Sequence, residues 1–288
     1  MPTFATPGPV SLAIELMAGG VRVEASERSD TVVEITPRDP ANDNDNEAAA
    51  HTRVDFADLT LTIKTGKRWQ AMFTNKVATV DVVVRVPAGS QLRGSTHLGD
   101  LHCLGPLGAC QFKTSLGDIA VAEAESAYLT TMMGPVTIDT VAGDCHITGT
   151  GKIGVGRIGG TASIKNLNGD TWVGEVAGDL SLKSANGNIV IDHPGANVNA
   201  RTAYGSVHIG DIVRGSVEMQ SAAGRLEIGI RQGTSAWLDV KSSAGVVRNQ
   251  LDSTDQPERE AQTAQIRART YSGDIVIRRA TTAEEKKP

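Results

Sequence analysis

Aromatic residues are scarce in this chain: three Trp, three Tyr and four Phe make up 3% of its 288 residues. So few rings exclude recognition by serial stacking on sugars or single strands, and they leave the core to Val, Ile, Leu and Ala. Cysteine stops at three. An odd number gives no disulfide framework, and the expectation is reduced, buried thiols in a cytosolic protein. Positive charge is not in excess, with a net charge of -5, so no nucleic-acid footprint is visible. No stretch approaches the length of apolar run that a membrane-spanning helix needs, and Met1-Pro2-Thr3-Phe4 has neither a basic nor an apolar leader character; together these predict a cytoplasmic protein. Catalytic signatures are missing as well. There is no G-x-S-x-G, H-E-x-x-H or Walker A sequence, and Gly149-Thr150-Gly151-Lys152 has the letters of a P-loop without its spacing. No cofactor is implied.

What is abundant is glycine, with 31 residues. From Gly99 to Ile191 one phrase returns: a glycine, usually an Asp or Asn, then apolar, variable, apolar. Gly99-Asp100-Leu101-His102-Cys103, Gly117-Asp118-Ile119-Ala120-Val121 and Gly178-Asp179-Leu180-Ser181-Leu182 are copies. The glycines stand at 99, 108, 117, 134, 143, 160, 169, 178, 187, 205, 215, 224 and 273, in steps of nine or close to multiples of nine. Such periodicity signals a repeat architecture. Glycine supplies the positive φ of a tight turn, and the following Asp or Asn is expected to accept from its own backbone two residues on. Two places after each glycine, and again four places after it, stand apolar residues such as Leu101/Cys103, Cys110/Phe112, Ile119/Val121, Cys145/Ile147, Leu180/Leu182, Ile189/Ile191 and Ile275/Ile277; Thr171 is the one polar exception. The residue between them is polar in nine of thirteen units. Strand alternation makes the first set the buried face and the second the outer one.

A three-residue strand cannot bury its apolar pair alone, so units must stack. Two nine-residue units make a coil of about eighteen residues, the coil of a β-solenoid. At roughly 4.8 Å per coil, residues 99 to 277 predict about ten coils, on the order of 50 Å. A six-residue aliphatic grid of the hexapeptide-helix kind does not fit.

Ahead of the repeat, residues 10 to 36 read as strands around the Gly19-Gly20 turn, Leu59 to Ile63 as another, and Thr79 to Val86 as a strong strand closed by Pro87. Between them, residues 38 to 50 are acidic, Asn-rich and aperiodic. Asp43, Asp45 and Glu47 lack the frame of an EF-hand, so a solvated loop is predicted there. The loop 64 to 76 holds Lys64, Lys67, Arg68 and Lys76 beside Trp69 and Phe73. It reads as a long hairpin loop folding its aromatics onto the first coils, with contact to an anionic partner as the functional alternative. A polar insertion at 252 to 263 predicts a surface loop, and 281 to 288 a disordered tail. The organisation is therefore 10–93 as an N-terminal strand region that caps or continues the stack, 94–280 as the solenoid, and 281–288 as tail.

His102 beside Cys103 and Cys145 beside His146 invite a metal, but adjacent strand residues point to opposite faces. The turn aspartates Asp100, Asp118, Asp144, Asp170, Asp179 and Asp274 resemble a calcium ladder, yet lack the paired glycines of a G-G-x-G-x-D roll, which leaves Asx-turns. Glu218 and Glu227 fall in different columns, so no catalytic carboxylate pair forms. Trp172 is the outer-face residue that costs most to expose; either a neighbouring loop covers it or it anchors a partner. No metal or catalytic residue is assigned, and Lys67, Arg68, Trp69 and Trp172 are the candidate partner contacts.

The Gly-Asp phrases, Val86-Pro87-Ala88-Gly89 leading into the first coil, Asn168-Gly169-Asp170-Thr171-Trp172, and the closing Tyr271-Ser272-Gly273-Asp274-Ile275-Val276-Ile277 resemble a bacterial β-strand-repeat family of unknown function whose members carry the label of candidate adhesins. The resemblance spans about residues 10 to 280. It implies an all-β fold, a β-solenoid (parallel β-helix), and an interaction or scaffold role with no catalytic residues. Bactofilins, short polymerising solenoids, are a weaker likeness. The leading expectation is a non-enzymatic intracellular module that binds an unknown protein partner; a self-associating scaffold comes second, and a glycan-acting β-helix enzyme third.

Overall fold

In a computed structural model, residues 1–65, 77–251 and 262–280 are described. The chain forms two compact units, Met1–Ala142 and Gly143–Pro288, each built around stacked parallel β-coils; among the described residues the fold is all strand but for one helix in the first unit.

Unit 1 contains β1 (Thr3–Ala5), β2 (Ser11–Ala18), β3 (Val21–Ser26), β4 (Asp30–Pro37), α1 (Asp43–His51), β5 (Arg53–Ala57), β6 (Thr60–Lys64), β7 (Val80–Pro87), β8 (Gln91–Leu98), β9 (Leu101–Leu116), β10 (Ile119–Met133) and β11 (Val136–Val141). Its coils do not stack in chain order. The β2–β3 coil lies between β6–β7 on one side and β8–β9 on the other, with Leu12 opposite both Leu61 and Leu92, and Val23 opposite both Val84 and Cys103. Antiparallel strands close the outer edge: β5 on β6, β4 on β7 and β1 on β4. Phe4 of β1 stacks on Phe56 of β5 with ring centroids 4.8 Å apart. The two short strands that carry these rings lie in segments the sequence reading left unassigned.

The segment 38 to 50 is a correction. In place of a solvated loop the chain folds helix α1, capped by the Asn42 side chain, which accepts from the N–H of Asn44, with Asp43 and Asp45 in the first turn and His51 in the last. Cap and charge placement match the helix dipole. Asp45 is 1% exposed, and its carboxylate accepts from the N–H of Thr79, the hydroxyl of Thr79 and the N–H of Asp39 at 2.9, 2.9 and 3.1 Å.

Unit 2 contains β12 (Cys145–Gly149), β13 (Ile153–Ile158), β14 (Ala162–Asn168), β15 (Thr171–Val176), β16 (Leu180–Asn186), β17 (Ile189–Pro194), β18 (Val198–Tyr204), β19 (Val207–Ile212), β20 (Gly215–Ala223), β21 (Leu226–Ile230), β22 (Thr234–Ala244), β23 (Val247–Asn249), β24 (Gln262–Ser272) and β25 (Ile275–Arg279). Two parallel ladders run through it. One is β12-β14-β16-β18-β20-β24-β22 and the other β13-β15-β17-β19-β21-β25-β23. Leu180 sits opposite Ala162 and Val198, which is the eighteen-residue coil. Here too chain order breaks: β24–β25 is intercalated, and β22–β23, earlier in sequence, becomes the outermost coil.

Every inner-face residue named from the glycine phrase is buried, Thr171 included. Full burial of a Leu, Ile or Val contributes about 1.5–3 kcal/mol, repeated on each coil. The turns explain why glycine returns. Gly187 has φ +125°, and a Cβ there would run into the carbonyl oxygen of Gly169 one coil back.

Two ladders of side-chain hydrogen bonds tie successive turns. Among the described residues, Asp100, Asp144, Asp170, Asp179 and Asp274 accept from the adjacent coil in place of the expected Asx-turns. Asp170 accepts from the N–H of Asn188 at 2.8 Å, Asn188 from Ser206 at 3.0 Å, and Asp179 from Asn197 at 3.1 Å. The next coil brings its N–H nearer than the residue's own turn does. Three residues before several of the turn glycines, a Thr, Ser or Asn points inward and donates to the carbonyl of a stacked turn: Asn166 to Gly151 at 2.9 Å, Ser221 to Gly205 at 2.9 Å, Thr270 to Gly224 at 3.1 Å. Asn166 also donates to the Thr171 hydroxyl at 3.1 Å, which accounts for the one polar member of the apolar pairs in the glycine phrase. Buried polar groups are stable only when paired in this way.

Candidate interaction groove

Because coils stack in register, residues at one position form a straight column with a step of about 4.8 Å. In the first ladder of unit 2 one such column reads Lys165, Lys183, Arg201, Gln220, Arg269, Lys241. From Lys165 to Lys241 five of these six residues are cations, over a length of about 24 Å; Thr148 of β12 precedes them in the column. Two places on, Ala203, Ala222, Tyr271 and Ser243 share a second column, and together with Ser184, Thr202, Ser221 and Thr270 they line a groove of about 610 Å³. The floor is stiff, since Thr202, Ser221 and Thr270 bond their hydroxyls to turn carbonyls.

Neutralisation along the column is partial. Arg201 pairs with Glu218 at 3.0 Å, and Arg269 shares Asp239 with Arg267 at 3.1 and 3.2 Å. The Arg269 guanidinium, seconded by Arg267, holds the Asp239 carboxyl below its ordinary value. Among the described residues, Lys165, Lys183 and Lys241 have no carboxylate in ion-pairing range, and all three are exposed. The sequence reading searched the columns for carboxylates and missed these cations. Lys165, Lys183 and Arg201 at steps of eighteen were the available signal.

Of the residues singled out from sequence, Lys67, Arg68 and Trp69 lie outside the described residues, as do Phe73 and Lys76. Lys64 ends β6 and pairs with Glu15 at 3.1 Å. Trp172 is on the other ladder, in β15, away from the groove lining. It is 41% exposed; its indole lies along Gly154 and Gly174, and its Nε1 donates to Asp192 at 2.9 Å. A hydrogen-bonded partner on the adjacent strand, rather than a loop, holds it.

His102 and His146 are exposed where Cys103 and Cys145 are buried, so strand alternation separates each pair. Burial pushes the Cys145 thiol up to about 12; Cys103 is raised by its hydrogen bond to Cys110 and by burial. A second polar cluster centres on Glu227, which meets Arg278 at 2.9 Å, Arg225 at 3.2 Å and His208 at 3.7 Å. Burial would raise the Glu227 carboxyl, but Arg278 and its cationic neighbours bring it below its ordinary value. His208 is lowered, chiefly by its own burial, against the opposing charge of Glu227.

No curated protein matches the sequence. Among solved structures, a candidate adhesin from Parabacteroides merdae ATCC 43184 is similar at 11% identity and a TM-score of 0.44, covering 96% of this chain and 94% of that one. One from Bacteroides fragilis NCTC 9343 stands at 12% and 0.33 over 96% and 95%, and a candidate cell adhesion protein from Clostridium sporogenes ATCC 15579 at 8% and 0.23 over 96% and 98%. The sequence profile of one family matches residues 10–278, nearly the whole chain, and with the solenoid already in view the protein belongs to the Toastrack DUF4097 family.

Proposed function

We propose that the protein is a non-enzymatic interaction module, a scaffold working inside the cell, whose unit 2 groove receives an acidic face of a partner protein. The cation column carries this reading: charges held on a stiff ladder at fixed steps attract and orient an anionic surface. The groove lining supports a binding role over catalysis. It offers ammonium, guanidinium, hydroxyl, amide and one phenol, and no carboxylate, imidazole or thiol that would exchange a proton near neutral pH. The reading of the compartment rests on the cysteines, three in number and all buried, which suits a reducing environment.

The test compares the full chain with a Lys183→Glu/Lys241→Glu variant and a Lys113→Glu control, each immobilised and exposed to native lysate at low and high salt. The wild type and the control should retain the same partner at low salt; charge reversal or high salt should release it. Equal retention by all three contradicts the reading.

A further inference from the structure

We propose that the outermost coil of unit 2 pairs with the same coil of a second copy of this chain, antiparallel, about a two-fold axis through Val240. Intercalation of β24–β25 leaves β22 with one ladder partner, β24, and β23 with one, β25, among the described residues. An open edge of this length is a template for another strand. The interior is open there as well. Ala236, Leu238 and Val240 are only half-buried, while their register mates Ala264, Ile266 and Ala268 are buried. Val247 is 40% exposed opposite a buried Ile275, and Trp237 is 61% exposed.

The stretches that flank this coil in the sequence are unsuited to cover it. Residues 252–261, DSTDQPEREA, and 281–288, TTAEEKKP, contain no Val, Ile, Leu, Met or aromatic residue, so neither stretch carries a side chain suited to finishing an aliphatic core. A head-to-tail stack would need a matching open parallel edge. In unit 1 the corresponding edges of β6 and β7 are taken by the antiparallel strands β5 and β4. Like edge therefore meets like edge, which generates a closed two-fold pair rather than a fibre.

Charge chooses the register. In an antiparallel pair, residues directly opposite share a face, and like charges opposed are unfavourable. Centring on Asp239 would set that carboxylate against its own copy, and centring on Lys241 would do the same for the ammonium. Centring on Val240 sets Asp239 against Lys241 of the second copy on both sides of the axis, Trp237 against Ser243, and Val240 against itself in the shared interior.

The full chain should show a concentration-dependent monomer–dimer equilibrium in sedimentation velocity. Val240→Cys should give a disulfide-linked dimer on mild oxidation, whereas Ser235→Cys, whose opposite number falls past the strand end, should give none, with the oxidised wild type as reference. Leu238→Lys should abolish the dimer, its fold checked by circular dichroism; should that variant fail to fold, the cysteine pair alone decides. A chain monomeric at all concentrations, open-ended oligomers, or equal cross-linking of the two cysteine variants would overturn the proposal.

Discussion

Asp45 accepts two hydrogen bonds from one residue, Thr79, through its backbone N–H and its hydroxyl, each at 2.9 Å and across 34 positions of sequence. The pair fastens α1 to the start of β7. Burial works to raise this carboxyl, and the bonds from Thr79 and Asp39, with the charge of Arg38, outweigh it, leaving the pKa below the ordinary 3.8.

Asp45→Ala should therefore destabilise the fold by about 2 kcal/mol, the cost of stranding buried donors, as read from urea unfolding. The pH dependence has a defined sign. With the folded pKa below the unfolded one, the contribution is complete above the unfolded value and is lost as pH falls through the folded pKa. The gap between wild type and variant should narrow as solutions are acidified below pH ~4.

Gly187 and Gly233 both have positive φ, +125° and +82°, but only Gly187 is pressed against a stacked turn; nothing lies within 4 Å of a Cβ at Gly233. Gly187→Ala should lower stability by more than ~2 kcal/mol, and Gly233→Ala by about 1 kcal/mol from backbone strain alone. Thermal melts of the two variants side by side give the comparison.

All three cysteines are buried free thiols, with Cys145 raised by burial to about 12. At pH 8 the native protein should react negligibly with a thiol-specific chromogenic disulfide, and in guanidinium chloride it should release three equivalents. Rapid reaction of even one thiol in the native state would contradict the packing.

His208 is depressed by burial, so its neutral form belongs to the folded state. Its contribution to stability is present above the unfolded value near 6.5 and is lost as pH falls through the lower folded value. His208→Gln should lose less melting temperature than wild type between pH 7.5 and 5.5, measured by differential scanning calorimetry.

The inner face was legible because strand alternation is rigid: once glycine marks a turn, Leu101 and Cys103 must share a side, and so must Ile189 and Ile191. Helix α1 was not legible, since nine residues without an apolar face owe their place to Thr79, far along the chain. The bridging role of Asp170 was hidden for a related reason: its acceptor site is completed by Asn188, a coil away. A recurring Thr, Ser or Asn three places before the glycine, as in Thr114, Thr202 and Thr270, was present in the sequence and points to the second hydrogen-bond ladder. The groove was half visible. Lys165, Lys183 and Arg201 keep the period, but Arg269 and Lys241 join their column only because coils near the chain end exchange places, and near-identical phrases do not say which will be neighbours.

That exchange bears on how the C-terminal region tolerates shortening. In an ordinary repeat array, deleting the final strands trims the last layer and leaves those beneath it seated. Here a stop after residue 261 would take out β24 and β25, an interior layer, and β22 and β23 would lose the strands they pair with among the described residues. Two layers would go with the loss of one, and nibbling by a carboxypeptidase past Gln262 should bring abrupt rather than graded damage.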